Sequence, residues 1–128
     1  MVFKKEEILK ELPEEQRLQE HDFSVLCSAF RGSLFETVYS ALQERYQLGR
    51  VRIMKMRSKT CMSWHDDHGT RLHYPIKTQP GCFMIIEDEF MHIPFEQWWM
   101  TNTWLKHTAL NSSKEDRIHL VASIVGNR

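Results

Sequence analysis

The chain has 128 residues and 41% apolar content, enough for one domain with a real core. Its 17 basic and 17 acidic residues give zero formal net charge, and with no basic run this argues against a nucleic-acid partner. No apolar run approaches a membrane span, and the charged start Lys4-Lys5-Glu6-Glu7 comes too early for a secretion signal, so a cytoplasmic protein is the expectation.

Residues 4–20 are charged, with Ile8, Leu9 and Leu12 as a short apolar patch before Pro13. They read as a surface helix or a solvated arm. Residues 23–48 carry a helical period. Phe23, Leu26, Phe30, Leu34, Val38, Leu42 and Tyr46 recur at three or four residues and form one stripe suited to core packing. Gly32 should divide this segment. Ser33 with Glu36 is a capping-box pattern that starts a helix near Leu34, and Gly49 reads as its stop.

From Arg50 onward strand-like runs alternate with turns. The candidate strands are 50–57, 60–64, 71–77, 82–87, 90–93, 97–101, 106–110 and 117–125. Short strands without intervening helices point to an all-β barrel or jelly roll. The division is then an N-terminal helical segment, 1–49, packed on a β core, 50–128. The last strand has two faces. Ile118, Leu120, Ala122 and Ile124 should face outward onto the helix; Arg117, His119, Val121, Ser123 and Val125 should look into the barrel. Cys27, Cys61 and Cys82 have no C-x-x-C spacing and read as buried reduced thiols. Trp98, Trp99 and Trp104 read as core or pocket wall, and His92 and His21 as surface or edge residues.

The chemistry-bearing stretch is Trp64-His65-Asp66-Asp67-His68. His65 and Asp67 form an H-x-D pair, an imidazole and a carboxylate close enough to share one cation. His107 is the best third ligand. Two His and one carboxylate leave open positions on the metal, the arrangement of non-heme Fe(II) oxygenases. An H-x-D pair alone is weak evidence in a chain with seven His. Arg117, at the start of the last strand, adds a planar cation suited to a carboxylate.

Taken together, the runs Trp64-His65-Asp66-Asp67, Arg71-Leu72-His73-Tyr74-Pro75-Ile76, Pro80-Gly81-Cys82, Asn102-Thr103, His107-Thr108-Ala109-Leu110-Asn111 and Arg117-Ile118-His119-Leu120-Val121 resemble the aspartyl/asparaginyl β-hydroxylase family. The resemblance covers about residues 50–125. It implies a mainly β fold, a double-stranded β-helix (jelly roll, cupin-like), with the N-terminal helices on its outer face. It implies Fe(II) and 2-oxoglutarate as cofactors, with His65, Asp67 and His107 as iron ligands. Arg117 would pair with the distal carboxylate of 2-oxoglutarate, and Arg71 and His73 would contact the same cosubstrate. The best-known peptide hydroxylases of the family lack the carboxylate ligand; Asp67 makes this chain more similar to the branch that keeps it. The implied activity is hydroxylation of an amino acid or peptidyl side chain, so the partner is a small-molecule or peptide substrate. So short a chain leaves room for a homo-oligomer that completes the pocket walls. Two alternatives stay open: a cupin-type metalloenzyme that does not use 2-oxoglutarate, and a non-catalytic barrel serving as a binding or assembly protein.

Overall fold

The structure, a computed structural model, describes residues 18–128. The readings made on Ile8, Leu9, Leu12 and Pro13 lie outside the described residues. A short 3-10 turn at Glu20–Asp22 leads to a second at Ser28–Phe30, then to helix α1 (Leu34–Arg45). Eight strands follow: β1 (Tyr46–Met56), β2 (Thr60–Cys61), β3 (Thr70–Lys77), β4 (Cys82–Ile86), β5 (Glu89–Met91), β6 (Trp99–Thr101), β7 (His107–Asn111) and β8 (Arg117–Asn127). Among the described residues no helix is long and apolar enough to cross a membrane.

The strands form two antiparallel sheets, ordered β1-β8-β3-β6 and β2-β7-β4-β5. This is the expected cupin-like, mainly β architecture. β8 is an interior strand of the first sheet and follows the alternation read from the sequence as far as Ile124; Val125, expected to look into the barrel, is exposed where the strand runs past it. Its outward residues Ala122 and Ile124 join Leu72 and Leu42 in a buried apolar cluster, against which Val38, Tyr46, Leu48 and Val51 pack. Helix α1 therefore covers the outer face of the first sheet. The inward face is polar. Arg117, His119 and Ser123 of β8 and Arg71 and His73 of β3 are all buried, and the register sets Arg71 opposite Ser123 and His73 opposite Val121.

Several expectations are corrected. The segment 23–32 is not helical apart from the turn at Ser28–Phe30. Its apolar side chains instead line a hollow of about 430 Å³ on the outer face, where Phe23, Leu26 and Phe30 meet Phe35, Val38 and Ile53. A stretch this short, closed by Gly32 in the left-handed region at φ +77°, is too brief to sustain a helix unaided. Leu34 of the stripe is 75% exposed. Ser33 is the N-cap residue of α1, but its hydroxyl donates to the Phe30 carbonyl, and Glu36 accepts from the Gly32 N–H at 2.6 Å. Gly49 does not stop the helix; α1 ends at Arg45 and Gly49 lies inside β1. A Cβ at Gly49 would stand 2.5 Å from the Glu20 carboxylate, so the glycine is needed for close approach of the N-terminal turn. Cys27 and Cys61 are exposed and only Cys82 is buried; all three are free. Trp98 and Trp104 are exposed rather than core.

Candidate metal centre and anion pocket

The start of β7 is the strand end from which the centre is built. His65 sits on the loop after β2 and bridges to His107, the first residue of β7: the His65 N–H donates to the His107 carbonyl at 3.0 Å and the His107 N–H returns to the His65 carbonyl at 2.7 Å. Two residues on, the Asp67 N–H donates to the Thr103 carbonyl at 2.8 Å. These backbone bonds bring His65, Asp67 and His107 together, with one ligand atom from each within 4.8 Å of the others. The adjacent acid, Asp66, points away to Lys106 at 2.7 Å. His68 points away as well, edge-on to Trp104.

The hydrogen bonds decide which ring nitrogens face the centre. His65 Nδ1 lies 2.6 Å from the Ser63 carbonyl and His107 Nδ1 lies 2.8 Å from the Leu105 carbonyl. A carbonyl only accepts, so both Nδ1 atoms carry the proton. Both Nε2 lone pairs then look at Asp67 Oδ2, at 3.6 and 3.4 Å. Two Nε2 atoms converging on a carboxylate oxygen form a ligand set that a cation would complete. Backbone carbonyls holding the remote nitrogens are the usual support for metal-ligating His.

The loop from Asp67 to β3 turns at Gly69, at φ +106°, where a Cβ would press on the Ile124 carbonyl at 3.3 Å. Thr103 Oγ1 donates to the Gly69 carbonyl at 2.8 Å and ties this loop to the one before β7. Arg71 follows and is buried. Its guanidinium lies 3.9 Å from Asp67 and 3.7 Å from Glu20. Glu20 also accepts from Arg50 through its side chain at 2.7 and 3.0 Å and its backbone N–H at 2.9 Å. Although burial works to raise it, those bonds and the charges of Arg50 and Arg71 hold the Glu20 carboxyl below its usual range.

Arg117 is 4% exposed. Among the described residues it has no carboxylate partner, and its Nε is buried without an acceptor. Burial lowers its hold on its proton, with the Cys82 thiol of the facing sheet acting the other way. The neighbouring acids do not reach it: Asp116 engages Lys55 at 3.5 Å and the Ser58 N–H at 3.0 Å. His73 is buried too. Burial first, then the charges of Arg117, Arg71 and His107, push it down to about 3. Its position among those three groups makes it the link between the metal centre and the Arg117 end of the barrel.

Three contributors were not singled out from the sequence. Glu20 lies in a charged run with no distinguishing signal. Arg52 is half-buried on β1 opposite Val121, its Nε buried without a partner among the described residues; burial, then the charges of Arg50 and Arg71, weaken its hold on its proton, with Glu20 and Asp67 acting the other way; alternation along β1 was the available clue. His92 is not a plain edge residue, since its Nδ1 donates to the Cys82 carbonyl at 2.8 Å.

Residues 8–126 match the family described as aspartyl/asparaginyl beta-hydroxylase. Over 98 residues, 72% of this chain, the sequence is 30% identical to an L-proline cis-4-hydroxylase of Rhizobium meliloti (strain 1021). The match covers 34% of that protein, so the chain spans about a third of the length of the curated relative it matches. Among solved structures, a cupin domain from Bordetella pertussis Tohama I aligns with a TM-score of 0.51 at 14% identity, over 63% of this chain and 82% of the other. A cupin-2 domain containing protein from Shewanella frigidimarina NCIMB 400 aligns with a TM-score of 0.50 at 9% identity, over 77% of this chain and 99% of the other. At these identities the two structures speak to the fold alone.

Proposed function

The chain belongs to the aspartyl/asparaginyl β-hydroxylase family, and from that premise we propose that it is a 2-oxoglutarate- and Fe(II)-dependent dioxygenase. Its product is a hydroxylated amino acid or peptidyl side chain, with succinate and CO2 released. His65 Nε2, His107 Nε2 and Asp67 would hold the iron. When bound, the metal supplies O2 activation coupled to decarboxylation of the 2-oxo acid, which no side chain can provide.

The chain's own residues bind and orient. Asp67 neutralises part of the metal charge, and Arg71 beside it limits how that carboxylate can turn. Arg117 pairs with the distal carboxylate of 2-oxoglutarate, since a buried guanidinium without an anion is otherwise costly. His73, between Arg117 and His107, contacts the same cosubstrate. That the relative is an L-proline cis-4-hydroxylase favours a small amino acid or a residue like it as substrate.

The observation that carries this reading is the presence of two complementary features in one barrel. His65, Asp67 and His107 converge as a set suited to a cation, and the buried Arg117, which has no carboxylate partner among the described residues, is suited to an anion. The test is succinate formation from 2-oxoglutarate by the purified protein with Fe(II) under air, beside metal analysis. Metal binding with turnover is the expected result, with both lost in His107→Ala while the fold persists. Near-wild-type turnover in that variant would sink the triad. Metal without 2-oxoglutarate turnover would make the protein a cupin-type metalloenzyme of another kind, and neither would make it a binding barrel.

A further inference from the structure

Behind His73 stands a second buried imidazole, His119, whose role none of the above assigns. The two lie on the inward face of adjacent strands, with Nδ1 of one 3.1 Å from Nδ1 of the other and the rings at 80°. His119 is 2% exposed, and its Nε2 is sealed without a partner among the described residues, whereas Nε2 of His73 is not sealed. His73 is thus the ring that opens on the interior, and His119 is the ring behind it.

Resting on the reading above, we propose that His119 is a positioning residue: its Nδ1–H donates to Nδ1 of His73 and fixes His73 in the tautomer whose Nε2–H points at the anion bound by Arg117. The assignment follows from counting protons. Two neutral imidazoles own two N–H groups and two lone pairs. Their contact uses one of each, so one N–H and one lone pair remain for the two outer nitrogens. The sealed Nε2 of His119 lies in a field set by Arg117. An N–H there would be a buried donor without an acceptor, its positive end in the field of a cation. A lone pair there is compatible with that charge. His119 therefore carries its proton on Nδ1, and His73 keeps its own on Nε2. Neutrality of the pair is supported by burial and the Arg117 charge, which push His73 down to about 3 and His119 to about 2. The result is two donors for one carboxylate: a charged fork from Arg117 and a neutral N–H from His73.

The experiment uses the metal-free full chain labelled with 15N in its histidines. Two-bond nitrogen–proton correlation spectra report which nitrogen of each ring is protonated, and 2-oxoglutarate is titrated calorimetrically with Mn(II) present. The wild type should show Nδ1–H for His119 and Nε2–H for His73. His119→Phe should shift His73 Nδ1 to the resonance of an unbonded acceptor and weaken 2-oxoglutarate about tenfold, with Mn(II) affinity unchanged. His119→Gln, whose amide can still donate, should restore affinity to within about twofold of wild type. The reverse tautomers, a protonated pair, or unchanged 2-oxoglutarate affinity in His119→Phe would each overturn the proposal. If His119→Phe does not fold, the wild-type spectrum and His119→Gln still decide. A wild type with the expected tautomers that binds no 2-oxoglutarate overturns the proposed function and the ligand assigned to His73, while the tautomer assignment stands on the spectrum.

Discussion

Arg117 brings a full charge into the barrel with no carboxylate to meet it among the described residues, and its fork suits the planar end of an oxo-acid. Removing one partner of a desolvated charge pair costs on the order of 2–5 kcal/mol. Arg117→Ala should therefore weaken 2-oxoglutarate by roughly two orders of magnitude, while metal affinity holds. Calorimetry on both ligands checks it; loss of metal with cosubstrate retained would exchange the roles assigned. The buried imidazoles make a separate prediction about stability. Unfolded histidines titrate near 6.5, but folded His73 and His119 resist protonation to about 3 and about 2. Below pH 6.5 the unfolded chain binds more protons than the folded one, so stability rises with pH across this window and is lost as pH falls through it. By about pH 5 each ring should have removed on the order of 2 kcal/mol. Urea unfolding at about pH 8 and about pH 5 should show this, and the double variant His73→Gln/His119→Gln should flatten the difference. Equal slopes in wild type and double variant would mean the rings take up protons without penalty.

At the scale of elements, the sequence was legible where a period was long and its reason local. β8 alternates from Arg117 to Ile124 because one face meets α1 and the other meets the barrel, and both faces could be read before the fold was known; Val125, read as inward, is exposed. His65, Asp67 and His107 could be picked out by residue type and resemblance, and the fold brings them together. What could not be read depends on partners remote in sequence. Glu20 reaches Arg50 and Arg71 across 30 and 51 positions of chain, and nothing near Glu20 announces either. Gly49 looked like a helix stop because its real reason, the Glu20 side chain pressed against β1, is tertiary. The apolar period of 23–32 was real, but it serves a surface hollow instead of a helix. The turn 111–116 is another element whose logic appears only when folded. Asn111 is fully buried; its amide donates to the Met56 and Glu115 carbonyls at 3.1 and 2.8 Å, and its carbonyl accepts from the Ser113 N–H at 3.0 Å and hydroxyl at 2.6 Å. This one side chain ties β7 to β1 and shapes the turn that delivers Arg117. Asn111→Ala removes the side-chain donor to the Met56 carbonyl and the acceptor of the Ser113 N–H, while the Glu115 carbonyl keeps Gln79 and Ser113 as donors, for a loss of about 2 kcal/mol. Asn111→Asp, which sets a buried carboxylate oxygen against the Met56 and Glu115 carbonyls, should cost more than alanine. Thermal unfolding of both variants checks the order, and an alanine variant as stable as wild type would remove the turn from the account.

For the whole molecule, the first sheet works on both faces at once. Its inner face carries Arg71, His73, Arg117 and His119; its outer face carries Leu72, Ala122 and Ile124, shielded by α1 and the start of β1. Strand alternation means that loosening the outer face also loosens the register that aims the inner side chains. Residues 18–49 are therefore predicted to be part of the architecture of the site and not a separable appendage. A chain beginning at residue 50 would lose α1, the first four residues of β1 and Glu20. The apolar cluster around Ala122 would meet water, and the carboxylate that holds Arg50 and Arg71 would be gone. Such a chain should aggregate or show no cooperative thermal transition. Two milder variants divide the effect. Leu42→Ala removes the one buried side chain of α1 and should cost about 2–4 kcal/mol of stability, with the triad intact in the protein that remains folded. Glu20→Gln keeps the packing but frees Arg71, and should act mainly on Mn(II) affinity by releasing that guanidinium toward Asp67, with a smaller change in melting temperature. A chain from residue 50 that is soluble, melts cooperatively and binds Mn(II) as the full chain does would separate the helical segment from the site and refute this coupling.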